Sequence, residues 1–288
     1  MAAVIPFEQS SVFFDGVFSE PRLNHPEGLA IDPDGNVWCG GEEGEIYRIA
    51  ADGSRIELIA TTGGFTLGMA FDGQGRLYTC DLKHAAVFRL DPASGQLSQF
   101  ATGDGTARMK IPNVPVVDPQ RGCLYVSDSH DFHQAGPGVW RFSLESGAGT
   151  LWYDRPLRFA NGMALAADRS TLYVAETFAR RVAAIPIDAD GRAGEASVFL
   201  EDIPGLPDGL VLDSDGRLYV CCYEPSRVCR ADPAHLDRGV EILIDDPQAH
   251  MLCHPTNGAF RGTELFTSNL GRWHITRTEV GARGLPLP

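Results

Sequence analysis

The chain has 288 residues, 43% of them hydrophobic, and a formal net charge of -14 at pH 7. This charge argues against nucleic acids and anionic membrane surfaces as partners, because both attract basic faces. No apolar run approaches the roughly 20 residues of a membrane span, and no basic-then-apolar leader opens the chain. We therefore expect a soluble cytoplasmic protein.

The first predicted strand, Ser11-Val12-Phe13-Phe14, stands outside the pattern that fills the rest of the chain. After it, a strand with a central aromatic residue recurs six times, at intervals of 40 to 48 residues. Each repeat also contains an apolar strand before the aromatic one and a third strand after it, and five repeats contain a fourth. This period and strand number are typical of propeller blades. The central aromatic residues are Trp38, Tyr78, Tyr125, Tyr173, Tyr219 and Phe266.

The sixth repeat ends at its third strand, near Arg277. We predict that the N-terminal strand supplies the missing outer strand and closes the ring, which leaves no long open sheet edge. The sequence thus predicts an all-β fold, a six-bladed β-propeller with four-stranded blades, in one domain over residues 1–288.

The apolar strand that begins each repeat opens with one residue in a fixed register, and five of these six residues carry a side-chain oxygen. In a propeller these strands all begin at one mouth of the central channel, so the sequence predicts a ring of oxygen atoms there. Such hard donors suit Ca²⁺, and Mg²⁺ or Mn²⁺ would also accept them. Zn²⁺, which favours nitrogen and sulfur, is a poorer substitute. The six opening residues are Glu27, Leu67, Asn113, Asn161, Asp208 and Asn257.

The same six residues also have a structural explanation that involves no metal. Asn and Asp before Gly are ordinary residues at turns and strand entries. The mixture of Glu, Asn and Asp at one register position favours a metal site, with Glu27, Asn113, Asn161 and Asp208 as ligands. Asn257 is a further candidate ligand.

Loops on the same face add titratable groups around the predicted mouth. The longest loop, 127–138, is a candidate lid or a simple insertion. Further candidates for binding metal or substrate are Lys110, His25, His130, His133 and His254.

The seven cysteines form no CxxC pair, and most fall within predicted strands. A zinc knuckle is therefore not expected. We predict that all seven are reduced and structural, because a buried thiol packs as a small hydrophobic group.

Five motifs are specific enough to compare with known families: His25-Pro26-Glu27-Gly28-Leu29-Ala30, Phe159-Ala160-Asn161-Gly162-Met163, Leu172-Tyr173-Val174-Ala175-Glu176-Thr177, Leu206-Pro207-Asp208-Gly209-Leu210 and Tyr125-Val126-Ser127-Asp128-Ser129. Together they resemble the senescence-marker-protein/gluconolactonase family and the related strictosidine-synthase-like proteins. The resemblance implies a calcium-site six-bladed propeller whose ligands, a Glu, two Asn and an Asp, fall on Glu27, Asn113, Asn161 and Asp208. Sugar lactonases of this family carry an Arg two residues before the second ligand, and here that position is Ile111, beside Lys110. This departure argues against an aldonolactone substrate.

The resulting hypothesis is a metal-dependent hydrolase of a small lactone or ester, present as a monomer or dimer. The ion would polarise the carbonyl, and Asp208, or else Glu27, would take the proton from the attacking water. A rim histidine is the alternative base. The alternative functions are a strictosidine-synthase-like arylesterase or phosphotriesterase, and a non-enzymatic binding platform plugged by a metal ion. A propeller without any metal is a third alternative.

Overall fold

The computed structural model describes residues 3–286 and consists of six four-stranded antiparallel sheets. Five sheets are built from four consecutive strands, in the order in which they occur in the chain. Asp-Gly turns such as Asp34-Gly35 join neighbouring strands, with Gly35 at a φ of 83° that glycine adopts readily.

The first three blades contain twelve strands that follow one another along the chain. They are β2 (Leu29–Ile31), β3 (Val37–Gly40), β4 (Glu45–Ile49), β5 (Ile56–Thr61), β6 (Thr66–Phe71), β7 (Leu77–Asp81), β8 (Ala86–Asp91), β9 (Gln96–Ala101), β10 (Pro112–Asp118), β11 (Cys123–Asp128), β12 (Gly136–Ser143) and β13 (Gly149–Leu157).

The last three blades take the remaining strands together with the N-terminal one. They are β14 (Ala160–Leu165), β15 (Thr171–Glu176), β16 (Arg181–Pro186), β17 (Ser197–Leu200), β18 (Pro207–Leu212), β19 (Leu218–Cys222), β20 (Arg227–Ala231), β21 (Glu241–Asp245), β22 (Pro255–Arg261), β23 (Glu264–Asn269), β24 (His274–Glu279) and β1 (Ser11–Asp15).

The first strands of the blades form a closed inner ring. Each contacts the first strand of the next blade, from β2 to β6, β10, β14, β18 and β22, and β22 contacts β2 again. The six-bladed β-propeller predicted from the repeat is therefore confirmed.

The N-terminal strand completes the last blade. β1 pairs antiparallel with β24, with Ser11 opposite Arg277 and Asp15 opposite His274. The Phe13 ring packs edge-on against Phe266 at a centroid distance of 5.0 Å. The predicted closure of the ring by the N-terminal strand is correct, and it adds apolar contacts to its hydrogen bonds.

The aromatic residue of each second strand faces a small residue of the inner strand. Five of the six aromatic side chains are fully buried, and Tyr173 is partly buried. Their small partners line a cavity of about 370 Å³ along the propeller axis, so the repeat keeps the axis open and apolar. The partners are Ala30, Ala70, Val116, Ala164, Val211 and Ala259.

This pairing also corrects one predicted register. In five blades the predicted opening residue lies three positions before the partner of the central aromatic residue. In the sixth blade Phe266 pairs with Ala259, so the equivalent residue is Thr256 and not Asn257. The prediction for Asn257 is wrong by one position, because its Asn-Gly sequence imitates Asn161-Gly162.

The glycine after the register residue lets neighbouring inner strands approach closely. A Cβ at Gly28 would lie 2.0 Å from the Leu67 carbonyl oxygen, and one at Gly162 would lie 2.1 Å from that of Asp208. Neither glycine has a positive φ. The glycines of these Glu-Gly and Asn-Gly pairs are therefore explained by close packing of the inner strands, and not by turns.

In the described part of the chain, residues 3–286, the helical structure consists of three short 3₁₀ segments, Phe7–Gln9, Thr177–Ala179 and Pro233–Arg238. Within residues 3–286 no helix has the length and apolarity needed to cross a membrane. All seven cysteines are free thiols, and six are buried.

Candidate metal centre

Each of the four predicted ligands has a buried side-chain oxygen without a hydrogen-bond partner among the described residues. A buried polar atom without a partner carries a desolvation cost, so such atoms call for an explanation. Four of them on four inner-ring residues are the observation expected of a cation site. The atoms are Glu27 Oε2, Asn113 Oδ1, Asn161 Oδ1 and Asp208 Oδ1.

The two amides are held in one orientation by hydroxyl groups. Asn113 Nδ2 donates to Ser129 Oγ at 3.0 Å, and Ser129 Oγ donates to the Ala160 carbonyl at 2.7 Å. Because a carbonyl can only accept, the Ser129 proton is committed to Ala160. The hydroxyl oxygen must then accept from the Asn113 amide, which leaves Asn113 Oδ1 as the free end.

The same arrangement recurs in the next blade. Asn161 Nδ2 donates to Thr177 Oγ1 at 3.2 Å, and Thr177 Oγ1 donates to the Pro207 carbonyl at 2.8 Å. Ala160 and Pro207 each directly precede a predicted ligand, Asn161 and Asp208. The two hydroxyls therefore orient one ligand amide each and tie it to the backbone beside the next ligand.

The two carboxyl groups lie close enough to affect each other. Burial raises the pKa of Glu27 from 4.5 to about 7, and a hydrogen bond with Thr256 partly opposes this rise. Burial also raises the pKa of Asp208 well above its usual range. The nearby Glu27 carboxylate adds to that increase in pKa, and a hydrogen bond with Asn161 opposes it. A cation between these groups would favour both ionised forms.

The sixth blade closes this ring through hydrogen bonds to the backbone of Glu27. The Glu27 carbonyl accepts from Thr256 Oγ1 at 2.9 Å, from Ser268 Oγ at 2.8 Å and from Asn257 Nδ2 at 3.0 Å. Asn257 thus uses its amide nitrogen to fix Glu27. In the second blade, Leu67 supplies an apolar side chain at the register position.

Several acidic residues that the repeat brings to the rim have structural partners instead of vacant oxygens. Asp128 accepts from the backbone amides of Lys110 and Ile111 at 2.9 and 2.8 Å, and Glu176 accepts from that of Arg158 at 2.7 Å. Both carboxylates are buried. They hold the rim loops in place, so their presence on the rim is not a sign of catalysis.

The predicted lysine and histidines of the rim have different contacts in the structure. Lys110 Nζ lies 3.0 Å from His130 Nε2, and because an ammonium can only donate, this nitrogen of His130 accepts and is not a free base. His25 contacts the Glu42 carboxylate and packs edge-on against Trp273 at 4.5 Å. His133 is exposed.

His254 is a rim histidine whose Nδ1 faces a backbone carbonyl. Its Nδ1 lies 3.0 Å from the Tyr223 carbonyl, so it carries the proton and leaves Nε2 with its lone pair. Glu224 lies 3.2 Å from the same Nδ1. The imidazole also stacks on the Tyr223 ring, with centroids 4.6 Å apart.

Tyr223 is a rim residue outside the set of predicted site residues. It follows β19 as Ser129 follows β11 and Thr177 follows β15. Burial raises the pKa of Tyr223, and the Glu27 and Asp208 carboxylates raise it further. The Tyr223 hydroxyl therefore lies within electrostatic range of the two carboxylates of the ring.

Residues 3–286 contain no group of three or more His, Cys, Asp or Glu side chains that could hold a metal. The candidate centre has two carboxylates and two amides. A donor set of oxygens alone fits Ca²⁺ or Mg²⁺ better than a metal that prefers nitrogen and sulfur.

Comparison with known protein families gives two matches. Residues 42–265 match the SMP-30/Gluconolactonase/LRE-like region, and residues 19–49 match the strictosidine synthase-like N-terminal region. Strictosidine synthase-like protein 6 of Arabidopsis thaliana is 26% identical over 90% of this chain and 80% of its own length. Lactonase drp35 of Staphylococcus saprophyticus is 29% identical over 80% of this chain and 74% of its own.

Solved structures share the propeller fold. A gluconolactonase from Xanthomonas campestris superposes with a TM-score of 0.76 at 23% identity, over 97% of this chain and 89% of its own. A calcium-binding protein, regucalcin, from Agrobacterium tumefaciens gives a TM-score of 0.78 at 20% identity, over 100% of this chain and 99% of its own.

Proposed function

The chain belongs to the SMP-30/gluconolactonase/LRE-like family, and on that premise we propose that it is a metal-dependent hydrolase of a lactone or ester. The family supports a lactonase-type hydrolase, and drp35 is a lactonase by name. The observation that carries the proposal is the ring of four buried, unpartnered oxygens on Glu27, Asn113, Asn161 and Asp208.

Ca²⁺ is the cation we propose for this site. Two carboxylates and two amides supply four hard oxygens and a charge of -2, and Leu67 leaves one side of the ring without a donor. Calcium takes six to eight oxygen ligands and tolerates irregular geometry, so water and substrate can complete its shell. Mg²⁺ and Mn²⁺ are the alternatives. When bound, the cation would polarise the substrate carbonyl and stabilise the negative charge that develops on its oxygen.

The chain must also take a proton from the attacking water. Asp208 is the base that the sequence favours, but as a ligand of the cation it would be held ionised and would be a weaker base. The His254 ring is oriented by the Tyr223 carbonyl and stacks on the Tyr223 ring. We propose His254 as the base that the geometry favours, with Asp208 as the alternative.

The proposal is tested by hydrolysis assays on γ-butyrolactone, phenyl acetate and diethyl p-nitrophenyl phosphate. The protein is stripped with a chelator and then reloaded with Ca²⁺, Mg²⁺ or Mn²⁺. We expect hydrolysis of the lactone or the aryl ester, its loss on chelation and its return with Ca²⁺.

The Asn161→Ala variant should lose both calcium binding and hydrolysis. Asn36→Ala, whose amide bonds to Asp32 in the β2–β3 turn, is the matched control and should keep both. A wild-type protein that binds calcium but hydrolyses none of the three substrates would favour the binding platform. Activity that survives chelation would contradict the proposal.

A further inference from the structure

Three phenylalanine side chains form an aromatic patch beside the candidate metal centre. Phe132 packs on Phe159 at a centroid distance of 5.0 Å, and Phe159 packs on Phe178 at 4.7 Å. Phe159 is buried, whereas Phe132 is 53% exposed and Phe178 is 39% exposed. The third exposed phenylalanine, Phe18, is 97% exposed and has no aromatic partner among residues 3–286. The patch is therefore a specific cluster of exposed apolar surface.

The patch is attached to both sides of the Asn161 site. Phe159 precedes Asn161 by two residues, and Phe178 directly follows Thr177, the residue that orients the Asn161 amide. Phe159 has a φ of 60°, in the left-handed region that bulky side chains rarely adopt. Its carbonyl accepts from the Thr177 amide at 3.2 Å, which holds this conformation.

Arg158 fixes the exposed rings. Its guanidinium lies 5.1 Å from the centre of the Phe178 ring and donates to the Phe132 carbonyl at 3.0 Å. Its backbone amide donates to Glu176, a fully buried carboxylate paired with Arg181 at 2.6 Å. The patch is thus built on the rigid end of β15.

The position two residues before the register residue is apolar in four of the six blades. Phe159 lies two residues before its ligand, and the equivalent residues in the second, third and fifth blades are Phe65, Ile111 and Leu206. His25 and His254 take this position in the first and sixth blades, which are neighbours in the ring. The mouth therefore has an apolar side over four blades and an imidazole side over two.

We propose that the aromatic patch binds the apolar part of the substrate, so that the site takes lactones or esters with an alkyl or aryl substituent. This inference rests on the proposed hydrolase function. A polyhydroxylated lactone would place hydroxyl groups against side chains that offer them no hydrogen bond. An alkyl or aryl group would instead remove the exposed faces of Phe132 and Phe178 from water.

The test compares γ-butyrolactone with γ-nonalactone, which carries a five-carbon chain on the same ring. Phe132→Ala and Phe178→Ala should each lower kcat/KM for γ-nonalactone about tenfold, because each removes apolar contact area, and leave γ-butyrolactone within about twofold. Phe178→Leu should keep most of the preference. Phe18→Ala, at the exposed phenylalanine without an aromatic partner, should leave both substrates unchanged. Equal losses on both lactones, or no loss on either, would overturn the proposal.

Calorimetric binding of both lactones to the chelated protein separates this proposal from the hydrolase function. Suppose that neither lactone is hydrolysed, but that γ-nonalactone binds more tightly than γ-butyrolactone, and only in proteins with an intact patch. This result would support the aromatic patch as a binding site and contradict the proposed hydrolase function. If the two lactones bind equally, the patch proposal fails whatever the activity. A changed sedimentation mass with unchanged lactone preference in the Phe variants would assign the patch to a contact between two copies of the chain and overturn the proposal.

Discussion

The amide nitrogen of Asn161 donates to the hydroxyl of Thr177 at 3.2 Å, and the proton of that hydroxyl is committed to the Pro207 carbonyl at 2.8 Å. This pair decides which end of the Asn161 amide faces the predicted cation. Residues behind the ligands of metal sites commonly set ligand orientation in this way.

Replacing Thr177 should weaken cation binding without removing a ligand. Thr177→Val keeps the shape but loses the hydroxyl, so the Asn161 amide is free to rotate. We expect calcium affinity to fall about tenfold by calorimetry. Thr177→Ser, which restores the hydroxyl, should recover most of it. Wild-type affinity in Thr177→Val would refute the orienting role.

The pH dependence of stability should report on Glu27. The folded, cation-free chain keeps a proton on this carboxyl up to a pKa of about 7, whereas its ordinary value is 4.5. Unfolding within that window releases a proton, so the free energy of unfolding falls as pH rises through it, by about 3 kcal/mol in total. Calcium must displace this proton, and its stabilising effect should therefore grow from pH 5.5 to 8.

Melting temperatures in chelator and in calcium across this pH range provide the measurement. Glu27→Gln, which cannot ionise, should reduce the slope of stability against pH in the cation-free protein, and the buried Asp208 carboxyl, whose pKa is also raised, should supply what remains. A calcium-induced shift that is the same at every pH would count against the assignment of Glu27 as a ligand.

His254 can be separated from Asp208 as the base, because His254 is not one of the four proposed ligands of the cation. His254→Gln should lower kcat about 100-fold and remove the acid limb of its pH profile, while calcium affinity is retained. His133→Gln, at an exposed histidine, is the control and should behave as wild type. A normal acid limb in His254→Gln would return the role to Asp208.

Closure of the ring predicts a stability cost at the N-terminal strand. Phe13 packs against Phe266, and the Arg261 guanidinium lies 5.4 Å from the Phe13 ring centre. Phe13→Ala should lower the free energy of unfolding by about 2 kcal/mol in urea titrations, because the ring is partly buried. Deletion of residues 1–16 should lower it further. An unchanged midpoint in the deletion variant would show that β1 contributes nothing to closure.

The blades could be predicted from the sequence because each one repeats the same pairing of a central aromatic residue with a small residue of the inner strand, as in Tyr78 and Ala70. The register of the sixth inner strand was predicted wrongly because a short motif, Asn257-Gly258, recurs one position out of register, after Thr256. Contacts between distant loops, such as Tyr223 with His254, depend on how the blades meet and have no local pattern.

The central claim is that the four unpartnered oxygens hold one divalent cation. Calorimetric titration of the chelated protein with CaCl₂ tests it directly, with Asn113→Ala and Asn161→Ala beside the wild type and Asn36→Ala as control. We predict one calcium ion per chain in the wild type and the control, and an affinity at least about 100-fold lower in both ligand variants. Absence of binding in the wild type, or equal affinity in all four proteins, would contradict the claim.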